Sequence, residues 1–185
     1  MVTKKREFRT GQYVVYPTQG VGKLVKTEDV VIAGQKVKML VIDFPKNSMT
    51  LRVPLDRAEI SGLRPIVSQR KIMEAINLAK ERSGAKRMIW SRRAAIYEEN
   101  INSGDPMKIA EVIRDLQRRS VDDPMTFSGR QLYFRALERM AQEFAAINNI
   151  EVDKAEEKIE DILEIPKDFE TEAEEVPVDA VEAEK

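Results

Sequence analysis

Between Gln12 and about Leu63 the apolar residues arrive in short β-branched runs broken by turn formers, which is the pattern of strands. Tyr13-Val14-Val15-Tyr16 halts at Pro17, Val37-Lys38-Met39-Leu40-Val41-Ile42 near Pro45, and Thr50-Leu51-Arg52-Val53 at Pro54. Gly11, Gly20, Gly22, Gly34 and Gly62 punctuate the segment. Ala33-Gly34-Gln35 joins Val30-Val31-Ile32 to the long central run as a hairpin turn, because Gly accepts the positive φ such turns require. The spacing predicts about five short strands forming a small curled sheet or barrel. In the Thr50 run, Leu51 and Val53 share one face and Thr50 and Arg52 the other. The Pro that follows suits an edge strand, which a partner can extend by strand addition; a solvated arginine on a polar face is the plainer reading.

After Arg64-Pro65 the period becomes helical and stays so to about Leu163. Ile72, Ile76 and Ala79 share one face of a first helix closed by Ser83-Gly84. A second helix runs to about Asn102, with Ser91 as its candidate N-cap. Gly104-Asp105-Pro106 ends one helix, caps the next and fills its first turn, leading into a stripe of Ile109, Val112, Ile113 and Leu116. Asp122-Asp123-Pro124 breaks the chain before Tyr133, Leu137, Met140, Phe144 and Ile147. A last short helix starts at Asp153, with Glu156 in capping-box spacing, and carries Ile159, Ile162 and Leu163. Five helices with short connections predict a compact α-domain. From Pro166 onward Glu, Ala and Val alternate with two prolines and no stripe, so this segment is expected to be disordered.

Charge divides the chain. Residues 1–150 hold 27 basic and 17 acidic side chains, a balance of +10, whereas residues 151–185 hold 4 and 15, a balance of -11. A basic body can meet a polyanion; an acidic tail can compete for the same surface or keep the protein soluble. With no cysteine and no histidine, disulfide frameworks, Cys/His metal cages, thiol nucleophiles and imidazole acid–base chemistry are all excluded. No apolar signal segment stands at Met1-Val2-Thr3-Lys4-Lys5-Arg6-Glu7, and no stretch approaches the roughly 20 apolar residues of a membrane span, so a cytoplasmic location is expected.

Lys80, Arg82, Lys86, Arg87, Arg92 and Arg93 crowd around a single acid, Glu81, and the only tryptophan, Trp90. Clustered cations replace counterions on phosphates, and a flat ring can stack on a base or wedge a base step. A second reading stands beside this one: Trp90, Ala94, Tyr97 and Ile101 fall at helical spacing, as a buried stripe would. Arg114, Arg118 and Arg119 either extend the basic surface or complement the end of their helix. Gly20-Val21-Gly22 lacks the lysine and helix start of a phosphate loop, and Glu156, Glu157, Glu160 and Asp161 read as a solvated helix face. No nucleophile, base and oxyanion donor converge, so neither an enzyme nor a cofactor is expected.

Tyr13-Val14-Val15-Tyr16-Pro17-Thr18-Gln19-Gly20-Val21-Gly22, Arg52-Val53-Pro54, Trp90-Ser91-Arg92-Arg93 and Ile109-Ala110-Glu111-Val112-Ile113-Arg114-Asp115-Leu116 resemble, in order and rough spacing, the CarD/CdnL family of bacterial transcription regulators. The likeness covers about Phe8 to Leu163. The first element alone is shared with the polymerase-binding module of transcription-repair coupling factors; the helical half with its tryptophan distinguishes the family. The resemblance implies a Tudor-like domain that docks on the RNA polymerase β subunit and a helical domain that reaches promoter DNA at the upstream edge of the minus-ten element. It assigns Met49, Arg52 and Pro54 to the β-contacting strand, and Trp90, Arg92 and Arg93 to the DNA wedge. Val30 stands where some members carry a second polymerase-contacting arginine, and Ala95 where some carry a DNA-facing lysine.

The expectation is therefore an α+β protein: a small Tudor-like or SH3-like β-barrel at 8–64, about five helices at 66–164, and an acidic tail at 165–185. It would be a monomeric transcription regulator that binds polymerase through Met49, Arg52 and Pro54. Promoter DNA would be met in the minor groove, weakly and with little sequence preference, through Trp90, Arg92, Arg93, Lys86 and Arg87. The alternative is a protein-interaction module acting through polymerase with little or no direct DNA binding.

Overall fold

A computed structural model describes residues 8–83, 88–117 and 126–164. Five antiparallel strands, β1 (Tyr13–Tyr16), β2 (Gly20–Ile32), β3 (Gln35–Phe44), β4 (Met49–Pro54) and β5 (Arg64–Pro65), lie in the order β4-β3-β2-β1-β5. Five helices follow: α1 (Gln69–Lys80), α2 (Trp90–Asn102), α3 (Pro106–Leu116), α4 (Phe127–Asn148) and α5 (Val152–Leu163). The class is α+β.

The sheet is open, where the sequence reading anticipated a barrel. Its two ends are β4 and β5, and both are poor partners for closure: β4 ends on Pro54, and β5 is a two-residue strand ending on Pro65. Proline donates no ladder hydrogen bond. β2 and β3 also form one long hairpin instead of several short strands. Their outer halves are exposed on both faces, so charges such as Lys26, Glu28, Asp29, Lys36 and Lys38 interrupt the apolar pattern. Ala33 (φ 50°) and Gly34 (φ 80°) make the tight turn, and a bulge lies between Leu24 and Lys26.

One sheet face closes on Val14, Leu24, Leu40, Ile42, Phe44, Val53, Ala58 and Leu63. Gly22 has to be glycine there, since a Cβ would come within 2.7 Å of both Ile42 and Phe44. The helices bury the anticipated stripes, with Ile72, Ile76, Ile109, Val112, Ile113, Tyr133, Leu137 and Met140 in one core.

Helix starts follow local capping. Asp105 Oδ1 accepts from Met107 N at 3.0 Å, with Pro106 opening α3, and Thr126 Oγ1 accepts from Gly129 N at 3.2 Å to begin α4. Two anticipated caps are corrected. α2 begins at Trp90 with Ile89 as N-cap, so Ser91 lies inside its first turn. α5 begins at Val152 with Glu151 as N-cap, so Asp153 is a first-turn acid and makes no capping box with Glu156. Gly84, the Asp122–Pro124 break and the acidic tail lie outside the described residues. Among the described residues no helix is long and apolar enough to cross a membrane.

Candidate functional site

Two surfaces and the seam between them carry the chemistry. At the edge strand β4, the pleat turns Met49, Leu51 and Val53 onto the sheet core and leaves Thr50, Arg52 and Pro54 on the other face. Arg52 Nε donates to Glu28 Oε1 at 3.0 Å, and Lys26 Nζ donates to Glu28 Oε2 at 2.7 Å. These two hydrogen bonds, that from Lys26 first, hold the Glu28 carboxyl below its ordinary 4.5. Lys26, Val41 and Arg52 run in register across three strands, with Val41 buried between the two cations. Arg52 itself remains 58 % exposed. Of the three residues assigned to this strand, Arg52 and Pro54 share a face, while Met49 is half-buried on the opposite one. Val30 is half-buried opposite Val37 in the hairpin.

The second surface is the start of α2. Trp90 is partly buried against the helical core, ahead of half-buried Ala94 and fully buried Tyr97 and Ile101. The stripe reading therefore holds for the inner side of the ring. Its N–H is directed at α4, donating to Ser128 Oγ at 3.1 Å, and the Arg93 guanidinium lies 5.1 Å from the ring centroid. Arg92 and Ala95 are exposed and Arg93 is half-buried.

Two turns along α2 from Trp90, the Tyr97 hydroxyl donates to Asp115 Oδ2 at 3.5 Å, and its pKa is pushed up to about 12 by burial and then by the Asp115 charge. Asp115 also accepts from Ser83 Oγ (2.9 Å) and Arg114 Nε (3.2 Å), tying the ends of α1 and α3 to α2. Lys80 Nζ donates to Glu164 Oε1 at 3.2 Å. Lys86, Arg87, Arg118 and Arg119 lie outside the described residues. Among the described residues no group of acidic side chains is placed to hold a metal ion.

The seam was not anticipated from sequence. Arg64 grips Glu143 of α4 through two parallel hydrogen bonds, Nη1 to Oε1 at 2.6 Å and Nη2 to Oε2 at 2.8 Å. Its Nε and Nη2 also donate to the Gly104 carbonyl at 3.1 and 2.5 Å, and Val67 N donates to Glu143 Oε1 at 2.9 Å. Glu143 is buried, with 4 % of its side chain exposed. Alongside, Arg139 Nη2 donates to Thr18 O at 2.6 Å, Gln142 Oε1 accepts from Val21 N at 3.3 Å, and Lys46 pairs with Glu138. Burial of Arg139 pulls its pKa below the ordinary arginine value.

The Pro17–Gly22 segment is thus the sheet's docking edge for α4. Gly20 (φ +84°) leaves no room for a Cβ against Arg139 and Gln142, and Gly104 abuts Pro17. The one available sequence signal was a polar pair, Gln142-Glu143, inside the otherwise apolar stretch from Met140 to Ala145.

Comparison with known proteins bears on both halves. The model of the CarD-like/TRCF RID domain matches residues 8–67, and that of the CarD C-terminal domain matches residues 74–160. The chain belongs to the CarD/CdnL family. As a CarD-like protein it is a transcription factor that associates with RNA polymerase, in a family that is not enzymatic. YdeB of Bacillus subtilis strain 168, a candidate transcription factor by its description, is 24% identical over 143 residues, spanning 77% of this chain and 94% of that protein. The solution structure of the 72-residue N-terminal domain of Myxococcus xanthus CarD is 27% identical, with a TM-score of 0.29 over 32% of this chain and 79% of that one.

Proposed function

We propose that this CarD-like protein binds the RNA polymerase β subunit through its β4 edge, with Arg52 and Pro54 on the docking face and Met49 behind them. In this reading residues 8–64 are the polymerase-binding domain and 66–164 the DNA-contacting domain. The helical domain touches promoter DNA near the upstream edge of the minus-ten element through Trp90, Arg92 and Arg93, joined by Lys86 and Arg87, and so stabilises the open complex. The protein acts as a monomer in the cytoplasm.

The observation that carries the reading is the pairing of an unextended strand edge bearing Arg52 with a separate basic surface around Trp90, in a chain whose two halves both match CarD-type domains. Strand addition supplies backbone hydrogen bonds to a partner. Once delivered by polymerase, the helices act at high effective concentration, so weak phosphate contacts suffice. The open state gains only as much as the protein binds it better than the closed one; a differential of about 1.4 kcal/mol shifts the populations tenfold.

Footprinting of a polymerase–promoter complex with and without the protein tests this. Added protein should extend the lifetime of the melted state, and Trp90→Ala should shorten it while leaving polymerase association intact. Arg52→Glu should abolish capture of a β-subunit fragment; retention would remove β4 as the docking strand.

A second reading, a module that works through polymerase without touching DNA, is favoured by one observation: the Trp90 N–H is already engaged by Ser128 and its inner side by the core. Salt separates the two. Phosphate contacts make promoter association fall steeply with ionic strength, whereas a purely protein interface responds little.

A further inference from the structure

The acidic tail has a defined root. At the end of α5, Leu163 O accepts from Nε2 of Gln117, the C-cap of α3, at 2.9 Å. Next to it, Glu164 Oε1 accepts from Nζ of Lys80, the last residue of α1, at 3.2 Å. Glu164 is the left-handed C-cap of α5 (φ 58°), so the helix stops there. Residues 165–185 therefore leave the fold at a corner where α1, α3 and α5 all end.

The same corner opens the basic run. Lys80 ends α1 and Arg82 follows two positions later, both exposed. Ser83 donates to Asp115 of α3, and Tyr97 of α2 donates to the same carboxylate, so α2 is fastened to this corner through Tyr97. Exposed Arg92 and half-buried Arg93 precede Tyr97 by little more than one turn, about 6–8 Å along the helix axis. Arg93 Nε is buried and finds no hydrogen-bond partner among the described residues. Cations from two helices thus gather where an acidic segment begins.

We propose that residues 165–185 fold back over the face formed by Lys80, Arg82, Arg92 and Arg93 and compete there with DNA. The segment carries eight acidic and two basic side chains in 21 residues, a repeating negative charge like that of a phosphate backbone. A coil of that length spans roughly 25 Å, so reach does not limit the contact. An exposed pair such as Lys80–Glu164 contributes little by itself. Its importance is its position, beside the first cation of the run, from which the later acids meet the arginines at the high local concentration of a tethered ligand. The contact itself needs no DNA; only the competition rests on the promoter-contacting reading given above. DNA in bulk would have to displace the tail, whereas DNA held beside a docked polymerase would meet the helices as a tethered partner and prevail.

The chain has no cysteine, so Thr171→Cys in the full-length protein takes a single nitroxide label. The amide NMR signals of Arg82, Arg92 and Arg93 should broaden. They should recover at high salt and in Glu170→Gln/Glu172→Gln/Glu174→Gln/Glu175→Gln, which keeps the length of the tail and removes half of its acids. In a polarisation titration of a fluorescent promoter duplex without polymerase, this neutralised variant should bind about tenfold more tightly than wild type, the gain expected when the tail covers about nine molecules in ten. Broadening confined to the end of α5, or seen only when labelled and isotope-enriched chains are mixed, would overturn the tail contact. A gain in affinity without broadening would mark mere long-range repulsion and overturn it too. Broadening with no gain in affinity would overturn the competition if Arg92→Glu/Arg93→Glu still abolishes duplex binding, and the promoter-contacting reading if it does not.

Discussion

Trp90 and Ser128 are joined by a 3.1 Å hydrogen bond between an indole N–H and a helix-start hydroxyl, and this bond fixes how α2 and α4 begin relative to one another. Because Trp90 is the only tryptophan, its fluorescence reports on this one site. Ser128→Ala should shift the emission to the red and raise quenching by acrylamide. The stability cost should be about 0.5 kcal/mol, the low end for a hydrogen bond at an exposed site. An unchanged spectrum and quenching constant would mean that the bond does not hold the ring.

Breaking the seam should be far more costly. Arg64→Ala leaves the buried Glu143 carboxylate without its bidentate partner, and loss of one member of a buried pair costs about 3–5 kcal/mol. Urea denaturation measures this. The double variant Arg64→Met/Glu143→Leu should recover part of the loss, since no unpaired charge then remains inside, and small-angle scattering should show whether the sheet and helices stay docked.

Two glycines of similar positive φ separate strain from space. Gly20 (φ +84°) has Arg139 and Gln142 where a Cβ would go, whereas Gly34 (φ +80°) has nothing within 4 Å. Gly34→Ala should cost about 1 kcal/mol of backbone strain alone. Gly20→Ala should cost that and more, and the difference between the two denaturation midpoints isolates the close approach of α4 to the sheet.

The Arg52 face of β4 should also be visible in a titration. The Glu28 carboxyl titrates below 4.5, so its pairing with Lys26 and Arg52 contributes stability that is present above that value and lost as pH falls through the lower, folded-state value. Carbon-detected NMR of the Glu28 side chain should place its midpoint below 4.5. Arg52→Ala should move the midpoint up part of the way, with Lys26 retaining the larger share.

Much of this was legible in the sequence, and for local reasons. The Asp105-Pro106 cap, the Ala33-Gly34 turn and the apolar stripes of α1, α3 and α4 depend on neighbours a few residues away, and each lies where the pattern put it. The open sheet was less legible, because β5 is two residues long and its partner β1 lies some fifty positions earlier. Least legible was the seam: Arg64 and Glu143 are 79 residues apart, and each alone looks like an ordinary surface charge. At the candidate site the sequence picked out Arg52 and Trp90 through their neighbours, and the alternation that set Leu51 and Val53 opposite Arg52 also puts Met49 on the inward face. That the Trp90 N–H is taken by Ser128 belongs to packing, and no local pattern foretells it.

The Arg64–Glu143 grip makes the molecule a caliper. Through this seam the sheet edge at Arg52 and the helix starts at Trp90 are fastened to one another, so the reach between them is set by the seam. On the proposed reading, a protein built this way would gauge its target as well as bind it: both jaws would close at once only where a polymerase surface and a stretch of DNA stand at that separation. Loosening the grip would turn a gauge into a leash, keeping each contact while abolishing the measurement.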